Sequence, residues 1–104
     1  MAKRKPRCDR RHAVYVVTNI LTDEIYIGIT VCAGAPKRSV KVRFQKHVSR
    51  AMTESKDWAF CNAIRAWGPE CFEAKVLEVV RGRKPAHQRE RELIKSLKPQ
   101  LNTF

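Results

Sequence analysis

The sequence predicts an α+β fold in which a small three-stranded antiparallel sheet is flanked by helices, in the order β-β-α-α-β-α. Three observations lead to this prediction. Two stretches of alternating apolar residues lie close together near the start, apolar residues recur at helical spacing in three later segments, and one more alternating stretch separates the last two of these. The 104 residues are enough for one domain with a single core.

The first two alternating stretches, 13–18 and 24–30, predict a β-hairpin. The segment between them, 19–22, has the polar ends expected of a hairpin connection. Strands at this spacing pair as neighbours, so we expect them to form one side of the sheet.

The hairpin places two tyrosines near each other. If Thr18 pairs with Asp23, Tyr15 lies opposite Tyr26 on one face, and the other face carries the valines and isoleucines that form the core. Two phenols on a solvent-facing surface, with Gly28 beside them leaving room for close approach, are suited to the floor of a site. Taken alone, such a pair is more often a cross-strand aromatic contact that only stabilises the hairpin, by about 0.2–1 kcal/mol.

Helical spacing of apolar residues predicts a helix over residues 37–52, after a loop at 31–36. At about 100° per residue, His47 lies within the apolar stripe of this helix and Arg43 lies at its edge, one turn away. Taken alone, such a histidine is more often a hydrogen-bonded residue at the edge of a core than a catalyst.

The remaining elements follow from the same patterns. A second helix is predicted over residues 56–67, with Trp67 on its buried side. Alternation over 72–80 predicts the third strand, which completes the sheet. After a basic turn at 81–85, a last helix is predicted over 86–97, and a proline ends it before a short tail.

The last helix carries an acid in an unexpected position. Its packing stripe consists of Leu93, Ile94 and Leu97. Glu90 lies at the three-and-four spacing that continues this stripe, whereas Glu92 falls on the opposite side. A carboxylate directed toward the protein body costs several kcal/mol unless a positive group compensates it. A metal ion or Arg43 would compensate it, and the ordinary alternative is that the acid reaches water or pairs with His87.

The charge of the chain is strongly positive. Lysine and arginine outnumber aspartate and glutamate by 22 to 10, a net charge of +12, which favours a polyanionic partner such as nucleic acid. Residues 1–12 are basic without apolar periodicity, and we expect a flexible arm that lies along phosphates; nuclear localisation or solubility is the alternative role. The residues expected to contact DNA are Lys3, Arg4, Lys5, Arg7, Arg10, Arg11, Lys37, Lys41, Lys46 and Arg50.

Several classes of protein are disfavoured. The four cysteines are scattered without a Cys-x-x-Cys pair, which argues against a zinc knuckle and is typical of reduced thiols in a cytosolic protein. No apolar run approaches the roughly 20 residues that span a bilayer, and the N-terminus lacks the apolar core of a signal peptide. We therefore expect a cytoplasmic protein without a membrane partner.

Five elements of the sequence together resemble the GIY-YIG nuclease family. In chain order they are Ala13-Val14-Tyr15, Tyr26-Ile27-Gly28, Arg43 with His47 one turn later, Glu90, and Asn102. The resemblance covers residues 13–102 and identifies 13–104 as a nuclease domain. Ala13 replaces the first glycine of the signature. Ile29 stands where several members carry a lysine, and Lys37 or Lys41 is the candidate to supply that charge.

This resemblance implies metal-dependent hydrolysis of DNA phosphodiester bonds, as in homing-type phage or mobile-element nucleases or in DNA-repair nucleases. It implies that Glu90 binds Mg²⁺, with Mn²⁺ as a substitute, and that Arg43 stabilises the transition state. Tyr15 is the first choice to activate the attacking water, with Tyr26 assisting. The resemblance further implies that His47 hydrogen-bonds the phenol or the phosphate, with Gly28 and Asn102 in support. Double-strand cleavage would need a homodimer, a larger assembly or successive encounters. A non-catalytic DNA- or RNA-binding protein that retains the fold is the alternative.

Overall fold

The sheet is built around its first strand. In the computed structural model, which describes residues 10–54 and 58–102, the order of strands is β2-β1-β3 and both pairings are antiparallel. The elements are β1 (Arg11–Asn19), β2 (Ile25–Val31), α1 (Pro36–Thr53), α2 (Ala59–Trp67), β3 (Phe72–Arg81) and α3 (Arg83–Leu97), with a 3-10 turn at Pro69–Cys71. The predicted fold class and element order are therefore confirmed.

The first residues of β1 and of α3 lie two or more positions before the predicted ones. β1 begins at Arg11, so the last two residues assigned to the basic arm belong to the sheet. α3 begins at Arg83 rather than at residue 86, because Pro85 is tolerated in the first turn of a helix, where its missing N–H has no partner to lose. The predicted start of the second helix, residue 56, lies outside the described residues, as do Lys3, Arg4, Lys5 and Arg7.

The register of the hairpin differs from the expected one by two residues. Thr18 pairs with Ile25 rather than with Asp23, which puts Tyr15 opposite Gly28. The turn is longer than expected because the Asn19 carboxamide accepts a hydrogen bond from the Leu21 N–H at 2.9 Å and Asp23 adopts a left-handed conformation, with φ of 62°. A shift of two preserves which side chains share a face, so the two tyrosines remain together.

The face of the sheet that carries the tyrosines is covered by α1 and α2, and the prediction that it faces solvent was wrong. Tyr15 is fully buried in a cluster with Val17, Val40 and Phe60. The opposite face, where Val14 and Ile27 are also fully buried, packs against α3. The sheet is thus the middle of three layers, and the phenols lie inside the core rather than on its surface.

A bulge in β3 determines which face of the sheet carries the side chain of Glu78. Tyr15 pairs with Val76 while Val14 pairs with Glu78, so Leu77 is an extra residue in the strand. Glu78 therefore lies on the α3 side of the sheet, where Arg89 donates a hydrogen bond to it at 2.7 Å. This pair joins β3 to the helix that carries Glu90.

Some apolar side chains of α2 and α3 are more exposed than the sequence predicted. Trp67, expected on the buried side of α2, is 44% exposed at the last residue of that helix, and Leu97 is similarly exposed on α3. Ala86 is the buried residue of α3, and the remaining apolar side chains of its stripe are half-buried. In the part of the chain that the structure describes, no helix combines the length and the apolar character needed to cross a membrane.

Candidate active site

A cleft of about 460 Å³ opens where β2, α1, α2 and the C-terminal tail meet. Three basic side chains from one face of α1 line it, since Arg43, His47 and Arg50 lie four and three residues apart. Tyr26 and Asn102 complete its wall on the β2 side. The structure therefore brings five residues that the sequence singled out into one cleft: Tyr26, Arg43, His47, Asn102 and the predicted DNA contact Arg50.

His47 lies beneath the mouth of this cleft and contacts the buried tyrosine. Tyr15 Oη and His47 Nε2 are 3.2 Å apart. Burial, with the charges of Arg43 and Arg50, lowers the pKa of His47 to about 4, so the imidazole is neutral at neutral pH. Burial, followed by the neighbouring Tyr26, raises the pKa of Tyr15. The phenol therefore keeps its proton and lies at hydrogen-bond distance from a neutral imidazole.

Tyr26 is the phenol that borders the cleft. Its ring stacks on Phe60 with centroids 4.2 Å apart and meets the edge of His47 at 5.4 Å. Burial and then the charge of Glu90 raise the pKa of Tyr26, while Arg43 and a hydrogen bond to Tyr15 oppose this rise. Of the two tyrosines, Tyr26 is partly accessible and lines the cleft, whereas Tyr15 lies behind it.

Gly28 makes the position of Tyr15 possible. A Cβ at Gly28 would lie 2.6 Å from the Tyr15 hydroxyl oxygen, well inside contact distance. The sequence predicted room for close approach at this glycine, and the structure fills that room with the ring of Tyr15.

Arg43 has an unpaired donor. Its side chain is half-buried, and its Nε is fully buried without a hydrogen-bond partner. A buried donor that no protein group satisfies is uncommon and is often completed by a ligand. The guanidinium lies close enough to both tyrosines to lower their pKa values.

Glu90 acts on the same region from α3, although it is not among the side chains that line the cleft. Its negative charge contributes to the raised pKa of Tyr26 and of Tyr15, and burial raises its own pKa. His87 Nδ1 lies 3.7 Å from its Oε1, so the pairing that the sequence allowed as the ordinary alternative is present. Within residues 10–54 and 58–102, no ion pair joins Glu90 to Arg43.

The donor set suits one kind of metal better than others. Within the described ranges, no three His, Cys, Asp or Glu side chains gather around a common point, so a closed zinc-type site is not built here. Mg²⁺ is commonly held by one or two carboxylates together with water and substrate phosphate. The half-buried carboxylate of Glu90 fits this second pattern.

Asn102 fastens the tail to the outer edge of β2. Its Oδ1 accepts from the Ile27 N–H at 2.8 Å and its Nδ2 donates to the Ile27 carbonyl at 2.9 Å. The Leu101 N–H adds a bond to the Ile25 carbonyl at 3.0 Å. Asn102 thus supports the strand that carries Tyr26 and Gly28.

The predicted DNA contacts on α1 divide between two faces. Lys46 shares a cavity of about 220 Å³ with Arg38 and Arg43, next to the cleft. Lys37 and Lys41 instead line a groove between α1 and β3, so neither lies in the cleft as a replacement for the lysine absent after Gly28. Arg10 and Arg11 are exposed at the start of β1.

Two residues of this region were missed from the sequence. Trp58 lines the cleft just before α2 begins, and Arg38 lies beside Arg43. Trp58 falls within the helix predicted over residues 56–67, but the helical spacing gives no sign that it lines a cleft. Arg38 differs from the lysines around it only in its angle on the helix, which the predicted helical phase could have indicated.

Comparisons with known proteins agree with this architecture. A family model described as the GIY-YIG catalytic domain matches residues 11–103. Two solved structures are similar: a mutant catalytic domain of intron endonuclease I-TevI (TM-score 0.69, 19% identity, covering 90% of this chain and 91% of that chain) and the catalytic domain of homing endonuclease I-TevI (TM-score 0.66, 19% identity, 89% and 95%). At this identity the likeness shows the fold. No curated protein matches the chain.

Proposed function

Because this chain belongs to the GIY-YIG nuclease family, we propose that it is a metal-dependent endonuclease that hydrolyses phosphodiester bonds in DNA. The observation that carries the proposal is the unpaired, buried Nε of Arg43 at a cleft that the cationic Arg50 and the neutral imidazole of His47 also line. A phosphate in the cleft would give this donor an acceptor. The planar guanidinium matches the non-bridging oxygens, whose charge grows as the phosphorus becomes five-coordinate.

The tyrosine pair is the candidate for activating water. Resemblance favours Tyr15, but its complete burial favours Tyr26 as the phenol that meets water in the cleft, with Tyr15 linking it to His47. The pKa values of both phenols are raised in the free protein. Deprotonation therefore requires added positive charge, which Arg43 supplies in part.

Glu90 is the residue that would hold Mg²⁺, or Mn²⁺ in its place, and the ion would offset charge on the phosphate and on the leaving oxygen. Its raised pKa follows from burial, and an adjacent cation would return the carboxylate to its charged form. Asn102 keeps β2 and the tail together on the same side of the cleft. Arg38, Lys46 and Arg50 are the nearest cations for neighbouring phosphates.

Cleavage of supercoiled plasmid with Mg²⁺, against an EDTA control, tests the proposal. We expect nicked circles before linear product, because one cleft acts on one strand and a second cut needs another copy or another encounter. Glu90→Gln and Arg43→Ala should each reduce the rate by about 100- to 1000-fold while DNA affinity changes little. Glu92→Gln is the matched control on the same helix, because Glu92 is exposed and pairs with Arg89. It should cut normally.

One result would overturn the nuclease assignment, and another would overturn the role of Glu90 alone. Binding of plasmid without metal-dependent cleavage would support a non-catalytic nucleic-acid-binding protein instead. Full activity of the Glu90→Gln protein would remove the metal role of that carboxylate while leaving the other assignments intact.

A further inference from the structure

One large aromatic side chain at the cleft has no part in the chemistry proposed above. Trp58, the residue before α2, is 42% exposed and lines the cleft together with Arg50 and Tyr26. The other tryptophan, Trp67, is exposed to nearly the same degree, at 44%, but does not line the cleft. Exposure alone therefore does not distinguish Trp58, whereas its place beside the cationic face of α1 does.

The cleft offers more than a phosphate requires. Cations from α1 suffice for a phosphate group, yet much of the remaining wall is aromatic, with Tyr26 stacked on Phe60 and Trp58 at the rim. At about 460 Å³ the cleft falls within the ordinary size range of small-molecule sites. A nucleotide combines an anionic phosphate with a flat aromatic base, which matches both parts of this lining.

We propose that Trp58 stacks on the base of an unpaired nucleotide next to the phosphate held by Arg43 and Arg50. Within a duplex, both faces of each base are covered by its neighbours, so a base reaches the indole only after it leaves the stack. That costs a few kcal/mol in paired DNA and least where the strand is single or mismatched. The substrate class is therefore DNA with an unpaired nucleotide at the cut. This inference rests on the proposed function, because it concerns the same cleft.

Indole fluorescence provides a direct test. In a Trp67→Phe protein Trp58 is the remaining tryptophan of the chain, and EDTA prevents cleavage during the measurement. The probes are oligothymidylate, an oligonucleotide of the same length with abasic sugars, and a fully paired duplex. At saturation, oligothymidylate should quench the emission strongly, and the other two probes should quench it far less.

Affinity measurements add a second readout. Trp58→Ala should weaken binding of oligothymidylate by about 5- to 150-fold, the range for loss of one base stacked on an aromatic ring, and should change duplex affinity by less than about twofold. Trp58→Phe should retain most of the affinity, because it preserves an aromatic face. Trp67→Ala is the control of equal exposure and should bind every probe normally.

Equal quenching by the abasic strand, or equal loss of affinity for duplex and single strand, would refute base stacking. Failure of this inference is separable from failure of the proposed function, because binding is measured without divalent ion. Selective quenching by oligothymidylate in a protein that never cleaves DNA would leave the stacking intact and remove the nuclease assignment. Efficient cleavage of paired DNA by the Trp58→Ala protein would keep the nuclease assignment and remove the base-stacking role of Trp58.

Discussion

Replacement of Gly28 by alanine tests how tightly the buried tyrosine is held against β2. The new Cβ would lie 2.6 Å from the Tyr15 hydroxyl oxygen, 2.7 Å from its Cζ and 2.9 Å from Cε1 of Tyr26. Ordinary van der Waals contact begins at 3.4 Å, so the hydroxyl must move by about 0.8 Å to reach it. Since Tyr15 is 0% exposed, the ring cannot relax into solvent.

The displacement has two energetic consequences. Overpacking of a well-filled core costs about 1–3 kcal/mol. Lengthening the 3.2 Å bond between Tyr15 and His47 would weaken a buried hydrogen bond of the imidazole, at about 1–3 kcal/mol more. We therefore expect the free energy of unfolding to fall by about 2–6 kcal/mol, a large part of the roughly 5–15 kcal/mol that stabilises a small domain.

Urea unfolding followed by circular dichroism measures this loss, and plasmid nicking under folding conditions measures the effect on the site. Tyr15→Phe provides the control, because it removes both the nearest atom and the hydrogen bond. The double variant with Gly28→Ala should lose less stability than the sum of the two single variants. A Gly28→Ala protein that unfolds within about 0.5 kcal/mol of the parent and cuts normally would refute the reasoning.

Three further predictions concern other parts of the molecule. The pKa of His47 is about 4 when folded against 6.5 in the unfolded chain, so the unfolded state binds the proton first as pH falls. The unfolding free energy should drop between pH 6.5 and pH 4 by up to about 3 kcal/mol, and an unchanged pH profile in His47→Gln would contradict this. Asn102→Ala should cost about 1–3 kcal/mol and speed hydrogen exchange at the Ile27 amide; retained protection there would disprove the anchoring role. Deletion of residues 1–9 should weaken binding to all DNA and flatten its salt dependence, whereas unchanged affinity at moderate salt would count against a phosphate-binding arm.

The order of elements could be predicted because strands and helices leave different periods in the sequence. The hairpin register could not, because it depends on the left-handed conformation of Asp23 and on the side-chain bond of Asn19 to Leu21. The covered face was misjudged for a related reason. Alternation separates two faces, but Tyr15 and Val14 are both apolar enough to be buried, and only the packing of helices on both sides shows that both are.

The site was partly predictable for equally specific reasons. Arg43 and His47 share a helical face at a spacing that the sequence shows directly. Glu90 was identified as an acid on an apolar stripe. Its pairing with His87, which the sequence offered only as the ordinary alternative, is present in the structure. Trp58 was assigned to the helix predicted over residues 56–67 but precedes α2 in the structure. Its place in the cleft depends on how α1 and α2 pack, which no local pattern records.

The hydrogen bonds between the tail and β2 also bear on how the protein behaves before it is fully folded. They join residues 75 positions apart, so they form only once the two ends of the domain have come together. Until then the backbone groups of Ile25 and Ile27 remain free to pair with strands of other molecules. The species most prone to self-association is therefore one with a formed hairpin and an undocked tail. Conditions that loosen the tail should cause aggregation before the core melts.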